Sequence, residues 1–332
     1  MKRQKIFRVL TFLITIALLI SVFTACGNQS NEDNISKEEV NSQNSDQDNR
    51  LQEDGEVTNS YPIEYEDMRE RKVEIEESPE KIVSLLPSTT EILFALGLGD
   101  RVVGVTQFCN YPEEAQSKEQ VGDAYDLNIE KIVSLESDLV LAGTGIKEDM
   151  IEKLEDAGIP VVVIEGIDFE GVYKSIIDIG KITGKEDEAS ELVQDMKDSV
   201  ASIEDRVKDA EEKDCYFVMD YGEGGNWTAG PGSFMDELIN MAGGSNVASD
   251  GDSPWLEYSM EMLIEKDPEI LIIPSDIDDV EKLKNSEGYK ELTAVKDENV
   301  QIVNGDIISR GGPRLVDGLE EIAKAIHPEL FE

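Results

Sequence analysis

Apolar residues along the chain fall into short continuous runs separated by amphipathic stretches. EKIVSLLPSTTEILFALGLGDRVVGVT (80–106) reads as a strand over Ile82–Leu85, a loop over Leu86–Ser88, a helix entered through Ser88 or Thr89 and stopped by Gly97-Leu98-Gly99, and a strand over Val102–Val105. LNIEKIVSLESDLVLA (127–142) reads as a capped helix followed by a buried strand; a helix over Lys147–Ala157 and a strand in GIPVVVIE come next. The second half repeats the plan, with strands in CYFVMD (215–220) and ENVQIVNG (298–305), a helix in GSFMDELINMAGG (232–244) and a closing helix near Arg314–Ile326. Such alternation predicts an α/β fold with mostly parallel sheets and helices on their faces.

YSMEMLIEKDPEILII (258–273) aligns on LNIEKIVSLESDLVLA without a gap at a shift of 131 residues. Asn128 falls on Ser259, Glu130 on Glu261, and Leu139-Val140-Leu141 on Ile270-Leu271-Ile272. Two similar lobes are therefore expected, 61–167 and 214–332, with connecting helices over 168–213 and a ligand cleft between the lobes. The connection contains GKEDEASELVQDMKDSVASIEDRVKDAEEK (184–213), whose Leu192, Met196, Val200, Ile203 and Val207 keep near-helical spacing. About 26 helical residues would make a rod of roughly 40 Å, stiff enough to allow only small closure of the lobes.

Charge narrows the choice of partner. The chain of 332 residues holds 73 acidic against 30 basic side chains, a net charge of −43, which argues against nucleic acid. An anionic membrane surface would repel it as well, so attachment needs something more specific. MKRQKIFR followed by VLTFLITIALLISVF and the small pair Thr24-Ala25 has the order of a secretory signal over residues 1–25. Cys26 directly follows, as in the lipobox of bacterial lipoproteins, where that cysteine is acylated; Phe23 stands where an aliphatic residue is usual. Residues 26–60 are polar and nearly without large apolar side chains, the composition of a disordered tether. The expected location is extracytoplasmic, lipid-anchored in a bacterial cell membrane. Cys109 and Cys215 show no CxxC spacing and are read as two free thiols.

A lipobox, a tether and two α/β lobes joined by a long helix resemble the substrate-binding lipoproteins of ABC importers for cobalamin, haem and iron–siderophores. The wording agrees over about residues 61–330 in KIVSLLPSTTEILFALG, CNYPEEA, NIEKIVSLESDLVLA, WTAGPGSFMDELINMAGGSNV and RGGPRLVDGLEEIAKAIHPE. The resemblance implies a monomeric receptor that meets a membrane-domain dimer and its ATPase subunits. It also implies that one glutamate of each lobe, Glu130 and Glu261, docks onto arginines of the two membrane-domain subunits. Each stands two residues after its N-cap, where favourable interaction with the helix dipole is the alternative role.

Ligands of open parallel sheets bind beyond the carboxyl ends of the strands. The loops there carry Ser88, Phe108, Tyr111, Tyr125, Tyr221, Trp227, Trp255 and Arg310, the candidate ligand contacts, and both tryptophans of the chain are among them. Flat aromatics suit a macrocycle. Haem is disfavoured because the single histidine, His327, ends the closing helix and is expected on the surface, although a Tyr or Met remains as axial ligand. Anionic ferric siderophores would be met by several cations, whereas these loops offer chiefly Arg310 and Arg314. Cobalamin or a related corrinoid, large and nearly neutral, is the favoured ligand, with no resident cofactor. One histidine does not make a nitrogen-rich site for a bare metal ion. No nucleophile–base signature supports an enzyme, and YGEGGNWTAGPG lacks the GK[ST] of a phosphate loop.

Overall fold

The protein is described by a computed structural model over residues 61–123 and 126–331. The expected signal segment, Cys26, the tether and Tyr125 lie outside the described residues.

In the first lobe, five parallel strands lie in the spatial order Glu119–Gln120, Val102–Val105, Ile82–Ser84, Leu139–Ala142, Val161–Val163. Leu139–Ala142 and Val161–Val163 are buried at every position, as expected of parallel strands covered by helices on both faces. The second lobe orders its parallel strands Gly244–Asn246, Lys213–Phe217, Ile270–Pro274, Val300–Val303. In the first lobe Ile82–Ser84 lies between Val102–Val105 and Leu139–Ala142, and in the second Lys213–Phe217 lies between Gly244–Asn246 and Ile270–Pro274, so the strand order reverses at corresponding places. That reversal leaves a crevice at the carboxyl ends of the strands.

Several details depart from the sequence reading. The first helix runs Pro87–Ala95 with Pro87 in its first turn, and its N-cap is Leu86 without a side-chain bond. Thr90 Oγ1 donates instead to the Leu86 carbonyl at 2.9 Å and to Ser84 Oγ at 2.8 Å, tying the turn to the strand before it. Pro87 tolerates this place because a helix has no use for the first-turn N–H that proline lacks.

The connection is two helices, Phe169–Thr183 and Glu186–Val207, turning at Gly184 in the left-handed region (φ +71°), and the second is shorter than the rod read from the sequence. The second helix has 22 residues, about 33 Å, and ends with the last apolar member of its stripe, Val207. Beyond it the polar Glu211-Glu212 leads into the strand at Lys213. A Cβ on Gly180 would lie 2.4 Å from Ala189 Cβ, so only glycine lets the two helices approach this closely. One apolar cluster runs from Ile82 and Leu139 through Val193, Met196 and Val200 to Cys215, Ile270 and Ile322. The lobes therefore share a core through the connecting helices, which opposes hinge bending.

His327 is the third correction. It is 0% exposed, with Nε2 3.1 Å from the Gly243 carbonyl and no hydrogen bond at Nδ1. The closing helix buries Leu319, Ile322, Ala323 and Ile326, and His327 follows Ala323 by four residues, so it continues the buried stripe.

An antiparallel pair, Ile63–Glu66 with Lys72–Ile75, precedes the first lobe. Sequence reading passed over this hairpin, although buried and exposed positions alternate along IEYE and KVEI. A second ribbon pairs Trp227–Ala229 with Trp255–Glu257, where the sequence suggested loops.

Candidate functional site

The carboxyl ends of the first lobe's strands frame a pocket of about 290 Å³ lined by Leu85, Leu86, Leu127, Gly143–Ile146 and Glu165. Those of the second lobe frame one of about 250 Å³, among Phe217, Met219, Phe234, Trp255, Pro274 and Ile308. The second wall is aromatic and thioether-rich. Phe108, Tyr111, Met219 and Trp255 are all exposed despite their size, as surfaces kept for contact are.

The predicted site residues divide. Trp255 is held in its pocket by pairing with Ala229, while Phe108 and Tyr111 stand on the loop that ends the second strand of the first lobe. Trp227 donates Nε1–H to the Gly224 carbonyl at 2.8 Å, which steadies the glycine turn beside it. Tyr221 turns into its own lobe: its hydroxyl donates to the Asp279 carbonyl at 3.0 Å and its ring meets Tyr289 edge-on. Ser88 is buried in the first helical turn, with its Cα 3.6 Å from where a Cβ on Gly312 would project. Sequence reasoning passed over Met219 and Phe234, whose only signal was their place just after a strand and at a helix start.

Arg310 and Arg314 are engaged across the lobes. Glu91, 3% exposed, accepts from Arg314 Nε at 2.9 Å and Nη2 at 2.5 Å, and from Arg310 Nη1 at 3.3 Å. Arg310 also donates to Asn110 Oδ1 at 2.6 Å and pairs with Asp306 at 2.7 Å, and Asn110 Nδ2 donates to Asp306 at 3.0 Å. The Arg314 guanidinium lies 3.8 Å from the centre of the Tyr111 ring, a cation–π contact that fixes the ring plane. Burial alone would lower the pKa of Arg314, but hydrogen bonding to Glu91 and its charge outweigh that and raise it. The two cations expected to meet an anionic ligand are thus already matched by carboxylates.

Asn128 and Ser259 cap their helices as read, accepting from Lys131 N at 2.9 Å and Met262 N at 3.4 Å. Glu130 and Glu261 are exposed in the first turns of these helices. Among the described residues no cluster of His, Cys, Asp and Glu is arranged to hold a metal ion, and no helix is long and apolar enough to cross a membrane.

A family model described as periplasmic binding protein matches residues 82–306. An uncharacterized ABC transporter substrate-binding lipoprotein of Bacillus subtilis, YvrC, is 37% identical over 83% of this chain and 88% of its own. A cobalamin-binding protein of Halobacterium salinarum is 31% identical over 81% of this chain and 75% of its own. The crystal structure of a possible iron-binding (periplasmic solute-binding) protein from Staphylococcus epidermidis superposes with a TM-score of 0.69 at 31% identity, covering 76% of this chain and all of that one. The chain belongs to the periplasmic binding protein family. Within it, the protein is a substrate-binding protein of the ABC-importer type.

Proposed function

We propose that this protein is a lipid-anchored extracytoplasmic receptor that captures cobalamin or a related corrinoid and hands it to an ABC importer through Glu130 and Glu261. The observation that carries the ligand is the pairing of Arg310 and Arg314 with Glu91 and Asp306, which leaves a wall of aromatic and thioether side chains without these two cations for an anionic siderophore. A broad, nearly neutral macrocycle suits such a wall. The buried His327, packed against Gly243, is not placed to be an axial ligand for haem. The cobalamin-binding relative from Halobacterium supports the same ligand, and the lipoprotein name of the Bacillus relative supports acylation at Cys26.

Calorimetric titration with cobalamin, cobinamide, haem and a ferric hydroxamate siderophore tests the ligand. Cobalamin or cobinamide is expected to bind most tightly; tighter binding of haem or the siderophore overturns the corrinoid assignment. For docking, Glu130→Ala combined with Glu261→Ala is expected to keep ligand affinity and abolish stimulation of the importer's ATPase. Lost ligand binding with intact stimulation would show that the two glutamates belong to the ligand site.

A further inference from the structure

The pocket at the carboxyl ends of the first lobe's strands is apolar except at one edge. Leu85, Leu86, Leu127 and Ile146 line it with the backbone of Gly143 and Gly145, and Thr144 and Glu165 are the two polar side chains among its lining residues. Ala142 pairs with Val163 at the ends of neighbouring strands, so Thr144 and Glu165, each two residues further on, fall side by side. Glu165 Oε2 accepts from Thr144 N at 2.9 Å and from Thr144 Oγ1 at 2.7 Å. Both donors go to one oxygen. Among the described residues, Oε1 takes no hydrogen bond and no Lys or Arg pairs with this carboxylate.

The hairpin ahead of the lobe braces both residues. Met68 N donates to the Val163 carbonyl at 3.0 Å, and Met68 Sδ accepts from Glu165 N at 3.1 Å. Arg69 donates through Nη2 to the carbonyls of Thr144, at 2.9 Å, and of Ile146, while its Nη1 pairs with Glu148 at 2.8 Å. The charge of Arg69 is thus matched by Glu148, and Glu165 keeps its own. Glu91, which faces two arginines, is the opposite case. A half-buried carboxylate with unused lone pairs beside apolar walls is costly unless a ligand brings it a donor.

We propose that Glu165 is a specificity-determining residue of this pocket: it accepts a hydrogen bond from a primary carboxamide on the rim of the macrocycle and rejects the same macrocycle with a carboxylate at that place. This inference rests on the corrinoid reading above and narrows the substrate class to amidated corrinoids. An amide NH₂ has two protons to give, whereas a carboxylate has none and repels Glu165 at close range. A pocket built around one hydrogen bond discriminates against analogues that cannot make it more sharply than apolar walls do. Glutamine in place of Glu165 could still accept from Thr144 through its oxygen and would offer its own NH₂ to either kind of ligand, so the preference should vanish with that single change.

Calorimetric titration of the full chain at neutral pH and physiological ionic strength compares cobalamin with the separate monocarboxylic acids made by hydrolysing one rim amide of cobalamin at a time. Glu165→Gln and Glu165→Ala are the test variants. Glu191→Gln, at an exposed position of the connecting helix, removes the same charge outside the pocket, and melting curves confirm that each variant is folded. The parent is expected to bind at least one of the acids about tenfold more weakly than cobalamin. Glu165→Gln and Glu165→Ala are expected to close most of that gap, and Glu191→Gln to leave it as it is. Equal binding of cobalamin and every acid by the parent overturns the inference and leaves the corrinoid reading standing. So does a gap that persists in both Glu165 variants, or one that Glu191→Gln closes equally well. Failure of the parent to bind cobalamin or any of the acids sinks the corrinoid reading and the inference with it.

Discussion

Glu91 in the first lobe accepts hydrogen bonds from both Nε and Nη2 of Arg314 in the second, a two-point pairing that also fixes the plane of the guanidinium. With Arg310 as third member and little solvent around it, the cluster ties the lobes together at a place where charge cannot be left unmatched. We predict that Glu91→Ala lowers stability by about 3 kcal/mol, because it strands the partly buried Arg314 guanidinium, while Arg310 keeps Asp306. Glu91→Ala with Arg314→Met should recover part of the loss. Chemical denaturation of the two variants and of Arg314→Met alone checks this, and simple additivity would refute coupling across the lobes.

Trp255 is exposed in the pocket of the second lobe, and little of the fold leans on its ring. Trp255→Ala is predicted to weaken corrinoid binding by about 2 kcal/mol, roughly thirtyfold, with thermal stability near that of the parent. Trp227→Ala should show the reverse balance, since Trp227 braces the Gly224 turn. Calorimetry paired with melting curves separates the two.

Asp67 is buried in the loop of the first hairpin, where its carboxylate accepts from Arg71 Nε at 3.1 Å, from Val163 N at 3.1 Å and from Arg69 N at 2.9 Å. Burial by itself would raise its pKa, but the hydrogen bonds from Arg71, Val163 and Arg69 prevail and hold it below the usual carboxylate range. A carboxyl with a depressed folded pKa gives its full stabilisation above its unfolded value, near pH 4, and loses it as pH falls through the folded pKa. Asp67→Asn is therefore predicted to be less stable than the parent at neutral pH, with the difference shrinking under acid. Melting temperatures measured from neutral pH down to about pH 3 test the sign; a difference that stays constant would refute it.

Burial pushes the Cys215 thiol up to about 12, and Asp214 and Glu269 add to the shift. Because the thiolate is the reactive form, Cys215 should resist maleimide in the folded body and react once it is unfolded. Labelling followed by peptide mapping decides the point.

Much of the architecture was legible from periodicity. Short apolar runs rich in branched residues such as LVLA and VVV, bounded by polar and turn-forming residues, read as interior strands, and the caps at Asn128 and Ser259 mark where helices begin by chemistry local to a few residues. The 131-residue repeat determined that two similar lobes exist and set Glu130 beside Glu261 as a pair. Other features depend on which distant groups meet. Nothing near Arg310 or Arg314 in the chain signals that Glu91, more than 200 residues away, takes their charge. Tyr221 and Trp255 look alike as loop aromatics until packing turns one inward and leaves the other in its pocket. His327 is interior because Gly243 gives its ring a surface to pack on, a contact across 84 residues. Sequence by itself determined what depends on hydrophobic period and local hydrogen bonding; tertiary structure alone decided which charges are matched and which large side chains remain available for contact, because both are settled by groups far apart in the chain.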